Sequence, residues 1–77
     1  MNDAADQLAK MWRELLETED VTEDSDFFEC GGNSVTAVHL AALIHENLAV
    51  SVDAIDVVML RTFGRVSGAV ADRLAAG

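Results

Sequence analysis

The sequence predicts an all-α fold, a bundle of four helices with a long first loop and a short third helix, and three observations support this prediction. The chain has no proline and only five glycines in 77 residues, so few positions interrupt a helix. Apolar residues recur at three- and four-residue spacing in its first, middle and last thirds. This length is enough for one small domain, which we assign to residues 1–77.

The first helix is predicted from about residue 3 to about residue 18. Its apolar residues repeat on one face, namely Leu8, Met11, Trp12, Leu15 and Leu16. Asn2 is a suitable N-cap, and acidic residues follow it in the first turn, where the helix dipole favours negative charge. We expect Trp12 to lie in the core rather than to serve as a platform for a ligand.

The helical periodicity fails between Glu19 and Asn33, which predicts the long first loop. All of its charged residues are acidic, but it also contains the apolar residues Val21, Phe27 and Phe28. We expect those three side chains to pin the loop to the core, because leaving them in water is unfavourable. A solvated acidic loop is favoured over an EF-hand, since Ser25 and Gly31 stand where a calcium loop needs glycine and glutamate.

The second helix is predicted to begin at Ser34 and to have two apolar stripes. The larger stripe is the expected core face and consists of Ala37, Leu40, Ala41, Ile44 and Leu48. The smaller stripe, formed by Val35, Val38 and Ala42, is rotated away from the core face. An apolar stripe in that position is typical of a surface that meets a partner.

Two further helices are predicted from the residues after Leu48. The third is short, is capped by Ser51 or Asp53, and contains Val57, Val58 and Met59. The last is capped by Thr62 and ended by Gly77, and its inward-facing residues are Phe63, Val66, Val70 and Leu74.

The charge of the chain excludes several classes of function. Fourteen Asp and Glu stand against five Lys and Arg, which gives a net charge of −9. Such a surface repels nucleic-acid phosphates and anionic membranes, so we expect neither as a partner and instead expect proteins with basic patches. An acidic N-terminus and the lack of a membrane-spanning apolar run predict a cytoplasmic protein, and we expect a monomer.

The single cysteine, Cys30, cannot form a disulfide within the chain. A small packing residue is favoured over a redox thiol, because no basic residue nearby in sequence would lower its pKa. His39 and His45 do not stand at a ligand spacing from Cys30 or from each other, so we expect no metal site.

The most informative segment covers residues 26–35 and reads Asp-Phe-Phe-Glu-Cys-Gly-Gly-Asn-Ser-Val. Two glycines permit a backbone turn that other residues disfavour and leave the following side chains uncrowded. Ser34 would then lie at the start of a helix, where unpaired amides and the helix dipole favour an attached phosphate. Taken without its context, the same pattern favours a simpler interpretation, in which Ser34 is the N-cap.

In its context, this segment resembles the signature of the peptidyl carrier (thiolation) domains of nonribosomal peptide synthesis, which are relatives of the acyl carrier proteins. The resemblance extends from the first helix through Gly-Gly-x-Ser to the Thr-Phe-Gly-Arg-Val of residues 62–66. It implies a four-helix carrier fold with 4′-phosphopantetheine, donated by coenzyme A, attached to Ser34. The implied partners are a phosphopantetheinyl transferase, an adenylation enzyme, and condensation or tailoring enzymes, while the carrier itself is not an enzyme.

The chain departs from the family pattern at a few positions. Cys30 stands where leucine is usual, Asn33 where Asp or His is commoner, and the prolines before the third and last helices are missing. The paired glycines favour the peptidyl branch. The alternatives are an acyl carrier protein of a polyketide or fatty-acid pathway and a non-covalent acidic helical interaction module in which Ser34 only caps a helix. The expected partner surface consists of Asn33, Val35, Val38, His39, Val58 and Met59.

Overall fold

A computed structural model describes residues 4–76, which form four α-helices. Their bounds are Ala4–Leu16 (α1), Ser34–Leu48 (α2), Ala54–Leu60 (α3) and Phe63–Ala76 (α4). Over this range there is no β-strand, and the one extended contact is an isolated antiparallel bridge between Asp26 and Thr62. The predicted fold, with its long first loop and short third helix, is confirmed. None of these four helices is both long and apolar enough to cross a bilayer.

The helix ends follow from local hydrogen bonds. Helix α1 ends at Leu16 rather than near residue 18, because Glu17 adopts a φ of 53° and the Thr18 amide donates to the Arg13 carbonyl at 3.3 Å. Of the two caps predicted for α3, Asp53 is the one observed. The predicted N-cap Asn2 and the predicted last residue Gly77 lie outside the described residues.

The core is organised around Trp12, whose side chain is fully buried as predicted. Its ring meets Phe27 edge-on at 5.6 Å between centroids and Phe63 edge-on at 5.5 Å. Edge-to-face pairs of this kind add stability beyond the apolar area that they bury. Since Trp12 belongs to α1, Phe27 to the first loop and Phe63 to α4, this aromatic cluster joins three parts of the chain that are distant in sequence.

Two side chains that we predicted to be buried are exposed to water. Phe28 is 37% exposed. Its neighbour Phe27 occupies the core position, and in a turn the side chains of adjacent residues point in different directions. Leu74 is 42% exposed, because α4 continues past its last buried residue, Val70, and all described residues after it are exposed. Val21 is half-buried against the core, so of the three apolar residues of the loop only Phe27 is fully enclosed.

The first loop is held to the junction between α3 and α4 by backbone hydrogen bonds, which the sequence did not predict. The Phe27 amide donates to the Arg61 carbonyl at 2.8 Å, and the Phe63 amide donates to the Ser25 carbonyl at 2.8 Å. The Gly64 amide donates to the Glu23 carbonyl at 3.0 Å, and a Cβ at position 64 would lie 3.0 Å from that same oxygen. The loop is therefore ordered by pairing of its backbone as well as by Phe27.

Asp26 is the acidic residue of the loop with the most polar contacts in the described chain. Its Oδ1 accepts hydrogen bonds from the amides of Glu29 at 3.2 Å and Phe28 at 2.9 Å, and its Oδ2 lies 3.2 Å from Arg61 Nε. The Glu29 amide is the main cause that lowers the pKa of Asp26, and the Phe28 amide and Arg61 lower it further, against an opposing effect of burial. The carboxylate form is therefore favoured by folding.

We predict that Asp26→Asn destabilises the protein more at neutral pH than at low pH. The folded pKa lies below the ordinary value of 3.8, so the stabilisation is fully present above that value and is lost as the pH falls through the folded pKa. Urea unfolding at pH 7 and near pH 3 measures the difference between wild type and variant. Asp24→Asn, an exposed neighbour in the same loop, is the control and should change little. A difference for Asp26→Asn that does not vary with pH would contradict this account.

Candidate functional site

The turn before α2 depends on its two glycines for different reasons. Gly31 has a φ of 99°, which residues with a Cβ rarely adopt. At Gly32, a Cβ would lie 2.5 Å from Cε2 of Phe27, a distance that the buried ring cannot accommodate. The Gly32 amide donates to the Phe27 carbonyl at 2.9 Å, and the turn is thereby attached to the core. Gly31 thus allows the backbone to turn, and the lack of a Cβ at Gly32 allows the turn to pass close to the aromatic cluster.

Asn33, and not Ser34, is the N-cap of α2. Its backbone is extended (φ −145°, ψ −175°), and its Oδ1 accepts hydrogen bonds from the Thr36 amide and the Thr36 hydroxyl, both at 3.0 Å. Its carbonyl accepts from the Ala37 amide at 2.9 Å, the first bond of the helix. The interpretation of Ser34 as a helix cap is therefore wrong, because the preceding side chain satisfies the amide that a cap would bind.

Ser34 is the first residue of α2, and its side chain is exposed. The structure shows no hydrogen bond from its hydroxyl to any of the described residues. Because Ser34 and Val35 are the first two helical residues, their amides have no carbonyl one turn earlier within the helix. An added Cβ at Gly31 would meet nothing within 4 Å, so the space beside the turn is open. A free hydroxyl, open space and a helix N-terminus together fit the attachment of a phosphate group.

No formal charge lies close to Ser34 in sequence. Between Glu29 and Glu46 the chain has no Asp, Glu, Lys or Arg, although the whole protein carries a net charge of −9. The first turns of α2 are therefore neutral, and the acidic residues that precede them belong to α1 and the loop. An anion at Ser34 would meet no adjacent carboxylate along this helix.

Three of the residues predicted for the partner surface are exposed apolar residues. Val35 is 65% exposed, Val38 is 56% exposed and Met59 is 74% exposed. Ile55, which was not predicted as a partner residue, is 67% exposed on α3 and lies one turn before Met59. The four-residue spacing of Ile55 and Met59 was a signal that could have identified it. Since α3 packs against α2, we define the docking patch as Val35, Val38, Ile55 and Met59.

The other predicted partner residues differ in their surroundings. His39 is exposed on α2. Asn33 is also exposed, but its side chain accepts a hydrogen bond from the Thr36 amide. Val58 is half-buried and packs against the core, so it is less accessible than the docking patch. Cys30 is also half-buried against the core, in keeping with its predicted packing role. Within residues 4–76 no three metal-ligating side chains are grouped together.

We predict that Asn33→Ala lowers the free energy of unfolding by about 1 kcal/mol, because it removes the side chain that caps α2. Ser34→Ala is expected to change stability by less than about 0.5 kcal/mol, since its hydroxyl makes no hydrogen bond to residues 4–76 and alanine favours helix. Urea unfolding measures both values. Asn33→Asp, which retains a capping oxygen, is the control and should stay close to wild type. A larger loss for Ser34→Ala than for Asn33→Ala would mean that the cap is assigned to the wrong residue.

The chain is similar in sequence to parts of known proteins. The chain is 34% identical over 62 residues to the N-(5-amino-5-carboxypentanoyl)-L-cysteinyl-D-valine synthase of Penicillium rubens, and 32% identical over 68 residues to a hybrid PKS-NRPS synthetase of Fusarium sp.. These matches cover 78% and 86% of this chain but only 2% of each relative, so the chain spans a small fraction of their length.

The fold is also similar to that of a solved protein. The solution structure of an active-site mutant of a peptidyl carrier protein superimposes with a TM-score of 0.85, over 96% of this chain and 82% of the other, at 24% sequence identity. Residues 6–70 match the family described as the phosphopantetheine attachment site, which includes all of the turn and α2. With the match extending over most of its length, this chain belongs to the phosphopantetheine attachment site family.

Proposed function

We propose that residues 1–77 are a single carrier domain that holds 4′-phosphopantetheine on Ser34 and serves nonribosomal peptide synthesis. The observation that carries this proposal is the hydroxyl of Ser34, which is exposed, free of hydrogen bonds to the described residues and placed as the first residue of α2. The family to which the chain belongs attaches this prosthetic group. Because Asn33 already caps the helix, Ser34 has no structural task that would explain a serine there.

The attachment reaction requires only a nucleophile from this chain. Ser34 Oγ forms a bond to the phosphorus next to the pantetheine of coenzyme A, and the bond from that phosphorus to the bridging oxygen of the diphosphate breaks. Adenosine 3′,5′-bisphosphate leaves, and the hydroxyl proton passes to a base of the phosphopantetheinyl transferase. The chain contributes an unobstructed hydroxyl and the amides of a helix N-terminus, which favour the phosphodiester that results.

The attached arm supplies a terminal thiol on a flexible tether, to which an adenylation enzyme joins an amino or aryl acid as a thioester. The domain itself provides no acid or base for this chemistry and is not an enzyme in our proposal. It brings the bound substrate to each partner at a high effective concentration. We place this activity in the cytoplasm, carried out by a monomer with protein partners and without nucleic acid.

The peptidyl type is favoured over the acyl type by two observations. The turn has two glycines, and the structure uses both of them, Gly31 for its φ and Gly32 for its approach to Phe27. The relatives include a synthase named for a peptide product. The hybrid PKS-NRPS synthetase among the relatives is the reason to keep an acyl substrate as the second candidate.

We infer that partner enzymes dock on the docking patch and on His39 beside it. Its four members are exposed apolar residues on two helices that pack together, and the part of α2 that contains Val35 and Val38 has no formal charge to interfere with an apolar contact. Val58 and Asn33 would contribute only at the edges of the docking patch. Val58 is half-buried, and the side chain of Asn33 already accepts a hydrogen bond as the cap of α2.

Mass spectrometry after incubation with coenzyme A, magnesium and a broad-specificity phosphopantetheinyl transferase tests the attachment site. The wild type is expected to gain one phosphopantetheinyl group, whereas Ser34→Ala is expected to gain none. Ser67→Ala, which removes a hydroxyl from α4, is the control and should gain the group as the wild type does. A folded wild type that gains nothing would support the non-covalent module, and a modified Ser34→Ala would place the attachment elsewhere.

We predict that Val38→Asp and Met59→Asp each lower kcat/KM for this modification by about tenfold, because each puts a charge into an apolar contact. Leu74→Asp is the matched control: it places the same charge on an exposed leucine of α4, outside the docking patch, and should have little effect. Steady-state kinetics with the carrier as the varied substrate measures the change. Equal losses in all three variants would show that net charge, and not the docking patch, determines recognition.

A further inference from the structure

Arg61, the residue after α3, has a backbone conformation that is unfavourable for any residue with a Cβ. Its φ is 63° and its ψ is −52°, and across it the Thr62 amide donates to the Leu60 carbonyl at 2.7 Å. This arrangement is a γ-turn of the rare, strained form. A proline could not occupy this position, since its ring fixes φ near −65°. Strain of this kind persists only where surrounding contacts hold it, and it concentrates at functional elements.

Apart from the hydrogen bond of its own amide to the Val57 carbonyl at 2.9 Å, the contacts that hold Arg61 come from three consecutive residues of the first loop. Its carbonyl accepts from the Phe27 amide at 2.8 Å, and its Nε lies 3.2 Å from Asp26 Oδ2. Its guanidinium lies over the ring of Phe28, 5.4 Å from the centroid. The Arg61 side chain is 56% exposed, so the ion pair by itself would contribute little to stability. What the three contacts fix together is the orientation of the loop segment 26–28.

The same segment holds the turn that leads to Ser34. The carbonyls of Asp26, Phe27 and Phe28 accept, in that order, the amides of Cys30, Gly32 and Gly31, at 2.9, 2.9 and 3.0 Å. Each of the three loop residues that Arg61 contacts is thus hydrogen-bonded directly to a residue of the turn. Asn33 is the next residue along the chain and is the N-cap of α2. A short series of contacts therefore runs from the α3–α4 junction to the residue before Ser34.

We propose that Arg61 is a positioning residue for the modification of Ser34. By holding residues 26–28, it sets the orientation of the turn over residues 30–33 and with it the direction in which the Ser34 hydroxyl is presented to the phosphopantetheinyl transferase. This inference rests on the proposed attachment at Ser34. A small displacement of a reacting group lowers the rate of a transfer reaction even where binding is unchanged. We therefore expect the loss of Arg61 to lower kcat rather than to raise KM.

The kinetics of modification by coenzyme A, magnesium and the transferase test this role with a pair of matched variants. Arg61→Gln is expected to lower kcat by about tenfold while KM changes by less than about twofold. Arg65→Gln removes the same charge from an exposed arginine at the start of α4 whose side chain makes no hydrogen bond to the described residues, and it should leave both constants unchanged. Arg61→Lys, which retains the charge, is expected to recover part of the loss.

Arg61→Gly separates positioning from stability. Glycine adopts a φ of 63° without strain, so the urea midpoint is expected to remain close to that of the wild type while kcat stays low. An unchanged kcat in Arg61→Gly, or a loss of kcat in Arg65→Gln equal to that in Arg61→Gln, would overturn the inference. Should Arg61→Gln fail to fold, Arg61→Gly decides the question. A wild type that is not modified at all would instead refute the proposed function, and this inference with it.

Discussion

The position of Phe27 is the constraint on which the rest of this structure depends. Its ring is fully buried against Trp12, its amide donates to the Arg61 carbonyl, and its carbonyl accepts the Gly32 amide. One residue therefore joins the apolar core, the α3–α4 junction and the turn before Ser34. A chain of this size buries a smaller share of its surface than a larger protein does, so it has few other means to order a loop this long. With Phe27 in place, the turn passes so close to its ring that only glycine fits at position 32.

Neighbouring residues of the turn have separate structural roles. Because these roles are filled by the residues before it, the hydroxyl of Ser34 is left free. Gly31 takes the unusual φ, Gly32 takes the close approach, and Asn33 caps the helix. The side chain of the next residue, Ser34, makes no hydrogen bond to the residues that the structure describes. A hydroxyl with no internal partner contributes little to the fold, but it can be presented to an enzyme without breaking any interaction of the native state.

Periodicity and local motifs predicted the parts of the structure that depend on nearby residues. The helices, the burial of Trp12 and the place of Ser34 at the start of α2 are of this kind. The sequence could not decide between Asn33 and Ser34 as the cap, because both types cap helices well and the positions are adjacent. It also could not place Phe28, since either of two adjacent phenylalanines could have filled the core. The contacts of Arg61 with the loop join residues far apart in sequence, and no local pattern indicates them.

In the proposed function, the acidic and the apolar parts of the surface would have different tasks in binding. The six acidic residues of the first loop produce a field that extends about a Debye length, roughly 8–10 Å in ordinary salt, and would attract basic partners before contact. The docking patch has no formal charge on its four residues, and apolar burial acts only once surfaces touch. The field would therefore influence the rate of encounter, and the patch the lifetime of the complex. In our proposal the carrier moves from one enzyme to the next and would benefit from this division, because a small apolar contact releases quickly while the field brings the next partner near.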